Sequence, residues 1–241
     1  MKENKTKKFH SILTYYDSES TVATEFRRIY SNIKAHNPGQ NLKTLLITSS
    51  VLGEGKSTIA TLLAITVAQR YNKKVLLLDA DLRRATIHRF FALSRIQGLT
   101  ELLEGEIQLK ESIRSTDLDN LKVITAGKRV DKPSELLEAS KLRQLLDELK
   151  IYYDLLIVDC PPVIPVSDAL ILGQELEGAL LVLKTGTTQR EVAKRACELL
   201  SGSNLNVVGI IMNNMKESLP YYYDYKYYGY EYGSVDRGKK Q

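Results

Sequence analysis

The stretch TLLITSSVLGEGKST, residues 44–58, decides the fold. Its first part, 44–48, is an apolar run that reads as a buried strand, and a helical pattern comes after it over 57–70. Between them GEGKS matches the end of the phosphate-binding pattern G-x-x-x-x-G-K-[ST], with Ser50 standing at the first glycine. Gly53 and Gly55 let the backbone curl so that its N–H groups face inward. The helix that starts near Ser57 adds the positive end of its dipole. Lys56 can reach β- and γ-phosphates, and the Ser57 hydroxyl can ligate Mg²⁺. Gly53, Glu54, Gly55, Lys56, Ser57 and Thr58 are therefore the expected ATP- and phosphate-binding set. A purely structural turn is the competing reading, and the order strand, loop, helix argues against it.

Outward from this stretch the same alternation repeats. Apolar runs occur at 75–79, 121–125, 155–159, 179–183 and 207–212. Helical patterns fill the intervals: 86–92, 98–104, 108–114, 134–150, 168–175 and 188–201. Continuously apolar strands imply a sheet covered on both faces. Strands alternating with helices imply a doubly wound, mostly parallel α/β sheet, with ligands beyond the carboxyl ends of its strands. Ahead of the core, Ser20 and Thr21 can cap a helix over 20–35, in which Val22, Phe26, Ile29 and Ile33 keep helical spacing. HNPGQN at 36–41 breaks it. Three parts are expected: an N-terminal segment with its helix (1–40), a phosphate-loop domain (41–217) and a tail (218–241).

Two more strand ends carry acid. VLLLDADLRR (75–84) places Asp79 and Asp81 two apart, with Arg83 two further on. On an extended segment such residues point the same way. They can hold Mg²⁺ and accept a proton from an incoming hydroxyl. LLIVDCPP (155–162) is an aliphatic run closed by Asp159, a second Mg²⁺ candidate, and Pro161 and Pro162 end the strand and stiffen the loop after it. The catalytic candidates are Lys56, Asp79, Asp81 and Asp159, and the metal candidates are Ser57, Asp81 and Asp159. Cys160 reads as a small packing residue.

The tail has a different composition. PYYYDYKYYGYEYG carries eight of the chain's 14 tyrosines: Tyr221, Tyr222, Tyr223, Tyr225, Tyr227, Tyr228, Tyr230 and Tyr232. No aliphatic residue interleaves them, so the stretch does not read as a buried strand and is expected to be exposed and flexible. The formal net charge is +5, of which residues 1–8 and 237–241 supply +3 each, leaving the remainder at −1. Basic ends can touch an anionic membrane surface or remain solvated. No basic stripe runs along a helix, so no nucleic-acid partner is expected. Two cysteines make no disulfide framework and fit a reducing compartment. The three histidines are scattered without metal-ligand spacing. No run approaches the ~20 apolar residues of a membrane span, and MKENKTKKFH shows no signal peptide, so the expected location is cytoplasmic.

GEGKST (53–58), LLLDADLR (76–83), LIVDCP (156–161) and the tyrosine tail, in that order, resemble the bacterial tyrosine kinases, the P-loop autokinases of capsular and exopolysaccharide synthesis. GLTELLEG (98–105) and PSELLEASKLRQLLDEL (133–149) also look like family segments, and the resemblance extends from about residue 20 to the end. It implies a P-loop NTPase fold of the MinD-like kind and a non-specific protein-tyrosine kinase that uses ATP and Mg²⁺. Its phosphoacceptors would be the eight tail tyrosines, modified between subunits. It implies a ring-shaped homo-oligomer, a transmembrane chain-length-determinant protein as activator, a protein-tyrosine phosphatase, and a place at the inner face of the cell membrane through that activator. The family's helix motif E-x-x-R-x-x-R-T-N is kept here only at Arg27, with Arg28 and Glu25 one residue over. Arg27 and Arg28 are thus the expected oligomer contacts. Asn213 or Asn214, after the last strand, could contact the adenine, with a plain loop role as the equal alternative. A positioning ATPase of the same superclass is the rival reading, but Val51 stands where such proteins carry an extra lysine. A nucleotide-binding scaffold is the other, and the full set Lys56, Ser57, Asp79, Asp81 and Asp159 argues against it.

From Tyr221 to Gln241 the net charge is +1, and each phosphotyrosine adds about −1.5 to −2. Three or four phosphates would make the tail strongly negative, so that tails seated near acidic active sites are expelled. Light scattering before and after Mg-ATP should show the assembly loosening; an unchanged mass at full phosphorylation overturns this expectation.

Overall fold

The computed structural model describes residues 10–36, 42–137, 139–203 and 205–215. The eight tail tyrosines and the basic ends lie outside the described residues. Seven strands form one sheet: β1 (Thr44–Ser49), β2 (Val75–Asp79), β3 (Ile113–Ser115), β4 (Leu121–Ile124), β5 (Leu155–Asp159), β6 (Gly178–Lys184) and β7 (Val207–Asn213). Their order is β3-β4-β2-β5-β1-β6-β7, and every pairing is parallel except β3 with β4. The helices are α1 (Thr21–His36), α2 (Lys56–Arg70), α3 (Ile87–Phe90), α4 (Leu99–Leu103), α5 (Leu109–Ser112), α6 (Pro133–Leu136), α7 (Ala139–Tyr152), α8 (Asp168–Gly173) and α9 (Arg190–Gly202). A short 3₁₀ turn, Ile12–Thr14, precedes them.

The central strands β1, β2, β5 and β6 are buried almost along their whole length because both faces are covered, whereas the edge strands β3 and β7 are only partly buried. Leu45, Ile47, Leu77, Ile157 and Val182 face a core made with α1, α2 and α3. Leu46, Leu76, Leu78, Leu156, Val158 and Leu181 face the opposite core, made with α4, α7, α8 and α9. Strand residues alternate between the two layers with the period of two that a pleated strand imposes. Cys160 is buried in the second layer, as a packing residue.

Four local differences from the expected elements have physical causes. The 108–114 segment is not one helix: α5 stops at Ser112, and the β-branched Ile113 begins β3, which pairs antiparallel along the outer edge of β4. The 134–150 helix is divided into α6 and α7, because Ser134 is tied to Asp168 at 2.6 Å and Leu137 turns fully into the core. With the extra strand, Asp159 closes the fifth strand instead of the fourth. On α1, Ala23, Phe26 and Ile33 are buried while Val22 is 50% exposed, so the buried stripe is one residue out of phase with the expected one at its start. Ser20 does cap this helix, its hydroxyl accepting from the Ala23 N–H at 3.2 Å. Helix α1 packs against the end of α2, where Tyr71 just past it meets Ser31 by a hydrogen bond and Tyr30 edge-on with 4.6 Å between ring centroids, while Tyr16 ahead of α1 is hydrogen-bonded to Thr66 on α2. Among the described residues, no helix is long and apolar enough to cross a membrane.

Leu63 is wholly buried between α2 and the sheet. Leu63→Ala should cost about 3 kcal/mol and lower the melting temperature by roughly 9 °C in a thermal unfolding scan.

Candidate active site

Strand β1 ends at Ser49, and the loop after it enters α2 at Lys56. Gly53 and Gly55 have φ of +82° and +94°, a region closed to most side chains. At Gly55 there is also no room, since a Cβ would stand 2.2 Å from Asn213 Nδ2. The loop has a keystone that its motif does not announce. Glu54 is 2% exposed, and its carboxylate points into the loop. It accepts from the Ser50 hydroxyl at 2.8 Å, from the Val51 N–H at 2.9 Å and from the Thr188 hydroxyl. Ser50, at the position of the motif's first glycine, thus serves as a donor to Glu54. The Glu54 carbonyl accepts from Asn213 Nδ2 at 2.9 Å, which ties the end of β7 to the loop. Thr58 is on the exposed side of the first turn of α2, and Ser57 is half-buried.

Lys56, 9% exposed, reaches over the strand ends. Its ammonium lies 2.8 Å from Asp81 Oδ2 and 3.6 Å from Asp159 Oδ1, and donates to Ser57 Oγ at 3.1 Å. Burial opposes its charge, but Asp159 and Asp81 outweigh burial and raise its pKa. Asp79 and Asp159 are partners in register at the ends of β2 and β5, and both are fully buried. Burial comes first and mutual repulsion second in pushing the Asp79 carboxyl up to about 8. Asp159 is raised to about 6, chiefly by burial, with the Lys56 charge and the Ser57 hydroxyl pulling it back.

The three carboxylates have different surroundings. Asp79 Oδ2 accepts from the N–H groups of Thr86 and Ile87 at 3.2 and 3.0 Å, which fastens the start of α3 to the site. Its Oδ1 is buried without a partner. Asp81 has both oxygens engaged, Oδ1 by the Arg84 N–H at 2.9 Å and Oδ2 by Lys56. Asp81 lies beyond the end of β2, so backbone turning, and not strand alternation, aims it at Lys56. Neither oxygen of Asp159 accepts a hydrogen bond. A buried acidic set short of donors, beside one lysine and a curled glycine loop, fits a nucleotide with a divalent cation. Among the described residues, no protein-only cluster of three or more His, Cys, Asp or Glu side chains is arranged to hold a metal ion. A cation here would therefore draw ligands from phosphate and water, as Mg²⁺ commonly does.

Arg83 turns away from Lys56. Its Nε and Nη2 donate to the two oxygens of the fully buried Asp168 at 2.9 and 3.2 Å, and Nη2 also reaches Ser134 Oγ at 2.8 Å. This clamp holds the 81–84 turn against α6 and α8. Ser134 lies in the segment 133–149 that resembles the family, but nothing there marks it as a partner of Arg83, and Asp168 belongs to none of the motifs; only the bidentate geometry reveals their role. Arg27 and Arg28 have intrachain partners: Arg27 donates to Ser18 O at 3.1 Å and Thr24 Oγ1 at 2.7 Å, and Arg28 pairs with Glu25 at 2.5 Å. Asn213 is occupied in holding the loop through the Glu54 carbonyl, and Asn214 comes next with φ +64°.

The fold and this site define a P-loop NTPase, and a family model described as ParA, NUBPL iron-transfer P-loop NTPase, matches residues 41–235. The tyrosine-protein kinase YwqD of Bacillus subtilis is 36% identical over 219 residues, covering 91% of each chain. The chimerical protein CapA2B2 superposes with a TM-score of 0.81 at 32% identity, over 85% of this chain and 89% of that one. The kinase domain of the Escherichia coli tyrosine kinase ETK gives a TM-score of 0.80 at 30% identity, over 88% and 84%. Within the ParA-like NTPases, the chain belongs to the bacterial tyrosine-protein kinases.

The raised carboxyl of Asp79 has a stability consequence. With its folded pKa at about 8 and an unfolded value near ~3.9, the folded protein keeps a proton that the unfolded chain releases between those limits. Its contribution is fully present below about pH 4 and is lost as pH rises through about 8. Asp79→Asn keeps an oxygen for Thr86 and Ile87 and removes the charge. In the nucleotide-free protein at pH 8 it should raise the melting temperature by about 3 °C or more, with a smaller gain at pH 5.

Proposed function

We propose that the chain is an ATP-dependent protein-tyrosine autokinase that phosphorylates tail tyrosines of a neighbouring subunit and thereby regulates synthesis or export of an exopolysaccharide or capsule. The observation that carries this reading is the convergence of Lys56 with Asp79, Asp81 and Asp159 beneath the Gly53–Gly55 loop, in a chain whose tail holds eight tyrosines. ATP supplies the phosphoryl group, and Mg²⁺ the charge that neutralises it. Lys56 would hold the β- and γ-phosphates, and the inward N–H groups of residues 53–58 would cradle them. Ser57, Asp81 and Asp159 would hold the cation.

Asp79 Oδ1 is the atom that would take the tyrosine proton. It is unpartnered, while Oδ2 is fixed by Thr86 and Ile87 and so orients the carboxylate. Its raised pKa suits proton transfer near neutral pH. Asp81, with both oxygens engaged, is better placed to manage charge than to accept a proton. The rest of the rate comes from positioning and charge neutralisation.

A tail of about twenty residues could extend ~50 Å, enough to reach a second subunit. The homo-oligomer, with Arg27 and Arg28 at its contacts, a transmembrane activator at the inner face of the cytoplasmic membrane and an opposing tyrosine phosphatase complete the proposal. Val51 stands where a positioning ATPase would carry its additional lysine, so that reading is weaker.

Intact-mass measurement with Mg-ATP, in the presence of the activator's cytoplasmic segment, should show successive steps of one phosphate. Lys56→Met should slow them at least ~100-fold, and Asp79→Asn by ~10²–10⁴. ATP hydrolysis without mass gain would favour the positioning ATPase and sink the kinase reading.

A further inference from the structure

Beyond Asp79 the chain gathers side chains that the phosphate chemistry leaves unused. Arg84 lies in the turn that Asp81 caps, and Arg89 stands on α3, whose start is fastened to Asp79. Arg95 folds back over this turn. Its Nε donates to Gly127 O at 2.7 Å and its Nη2 to Leu82 O at 3.3 Å. The Arg95 carbonyl in turn accepts from the Gly127 N–H at 3.0 Å and the Thr125 hydroxyl at 2.9 Å. Arg129 stands two residues after Gly127. The stretch 84–95 and the loop after Gly127 thus bring Arg89, Arg95 and Arg129 near one another on the Asp79 side of the site, with Arg84 in the adjoining turn.

Arg84, Arg89 and Arg129 are exposed, and Arg95 is half-buried. None of the four forms an ion pair with a carboxylate among the described residues. Burial and then the Arg129 charge lower the Arg95 pKa, with Arg89 adding to them and Asp79 opposing. His88, beside Arg89 and Arg95, has its Nδ1 buried without a hydrogen-bond partner. Asp79 and Glu101 offset these like charges only in part, and an anion supplied from outside relieves the repulsion that remains.

We propose that this arginine cluster is the docking surface for the acidic, tyrosine-bearing peptide that the kinase modifies, with Arg89 and Arg129 gripping the anionic groups that flank the acceptor tyrosine. The inference rests on the proposed kinase function and adds to it the chemistry by which the acceptor is selected. Guanidinium groups pair bidentately with both carboxylate and phosphate. The segment 221–233 is net −1, with Asp224 and Glu231 among its tyrosines against Lys226, although the basic end beyond it brings the whole tail to +1; each phosphotyrosine formed adds a further anion.

The test is binding, which needs no phosphoryl transfer. Fluorescence anisotropy of a labelled peptide spanning 221–233 is measured on the full chain, against the same peptide with Asp224→Asn and Glu231→Gln. The double variant Arg89→Ala with Arg129→Ala should bind the acidic peptide about tenfold more weakly and with less salt dependence. Its affinity for the neutralised peptide and its thermal stabilisation by Mg-ATP should stay the same. Equal affinity of variant and native chain for the acidic peptide overturns the proposal, as does an equal loss for both peptides. If the variant instead loses only its binding to phosphatidylserine vesicles, the cluster serves a membrane surface and the proposal falls. Failure of phosphoryl transfer in the intact-mass experiment would sink the kinase reading by a separate route, leaving this binding result to stand or fall on its own.

Discussion

One ammonium group facing three buried carboxylates is the constraint on which the rest of this structure turns. Desolvating so many charges is costly, and the cost is contained only where opposite charge and fixed dipoles are close at hand. A parallel sheet provides the place, because it brings several strand ends to one edge. Asp79 and Asp159 are adjacent there by strand register, Asp81 by the turn after β2, and Lys56 by the helix after β1. The loop between β1 and α2 must then curl tightly enough to deliver Lys56. Its two left-handed glycines permit the curl, and the buried Glu54 carboxylate pins it to Ser50, Val51 and Thr188.

How much the residues reveal on their own depends on how local each signal is. GEGKST, DADLR and VDCPP are short, and each sits where an apolar run meets a turn, so their chemistry and their place on strand ends are both legible. The two-sided core is legible for a similar reason: the central strands run apolar without polar alternation. Element boundaries are less so. Nothing in the composition of 108–114 distinguishes a helical turn from the edge strand that Ile113 starts, because the deciding partner, β4, is donated by a later segment. The break between α6 and α7 likewise depends on Ser134 meeting Asp168 across the fold.

The contacts that stay hidden in the sequence share one property, which is distance along the chain. Arg83 and Asp168 are 85 residues apart, and Glu54 and Thr188 are 134 apart. Each residue alone is an ordinary polar residue near a loop. Together they fix the two turns that aim Lys56 and Asp81 at one another. The roles of Asp79 and Asp81, equivalent in the motif, separate through nearer backbone contacts and Lys56, since one keeps an unpartnered oxygen and the other keeps none.

The bond between Asn213 and the Glu54 carbonyl has a consequence for the tyrosine-rich segment beyond it. It roots the last strand at the nucleotide loop, so the chain leaves β7 from a fixed point close to the chemistry. In the proposed autokinase, the substrate is thus tethered, and its supply is set by tether length instead of by cellular concentration. Short flexible tethers give effective concentrations in the ~mM range. An acceptor delivered in this way needs only weak intrinsic affinity, which leaves it free to depart once it is modified.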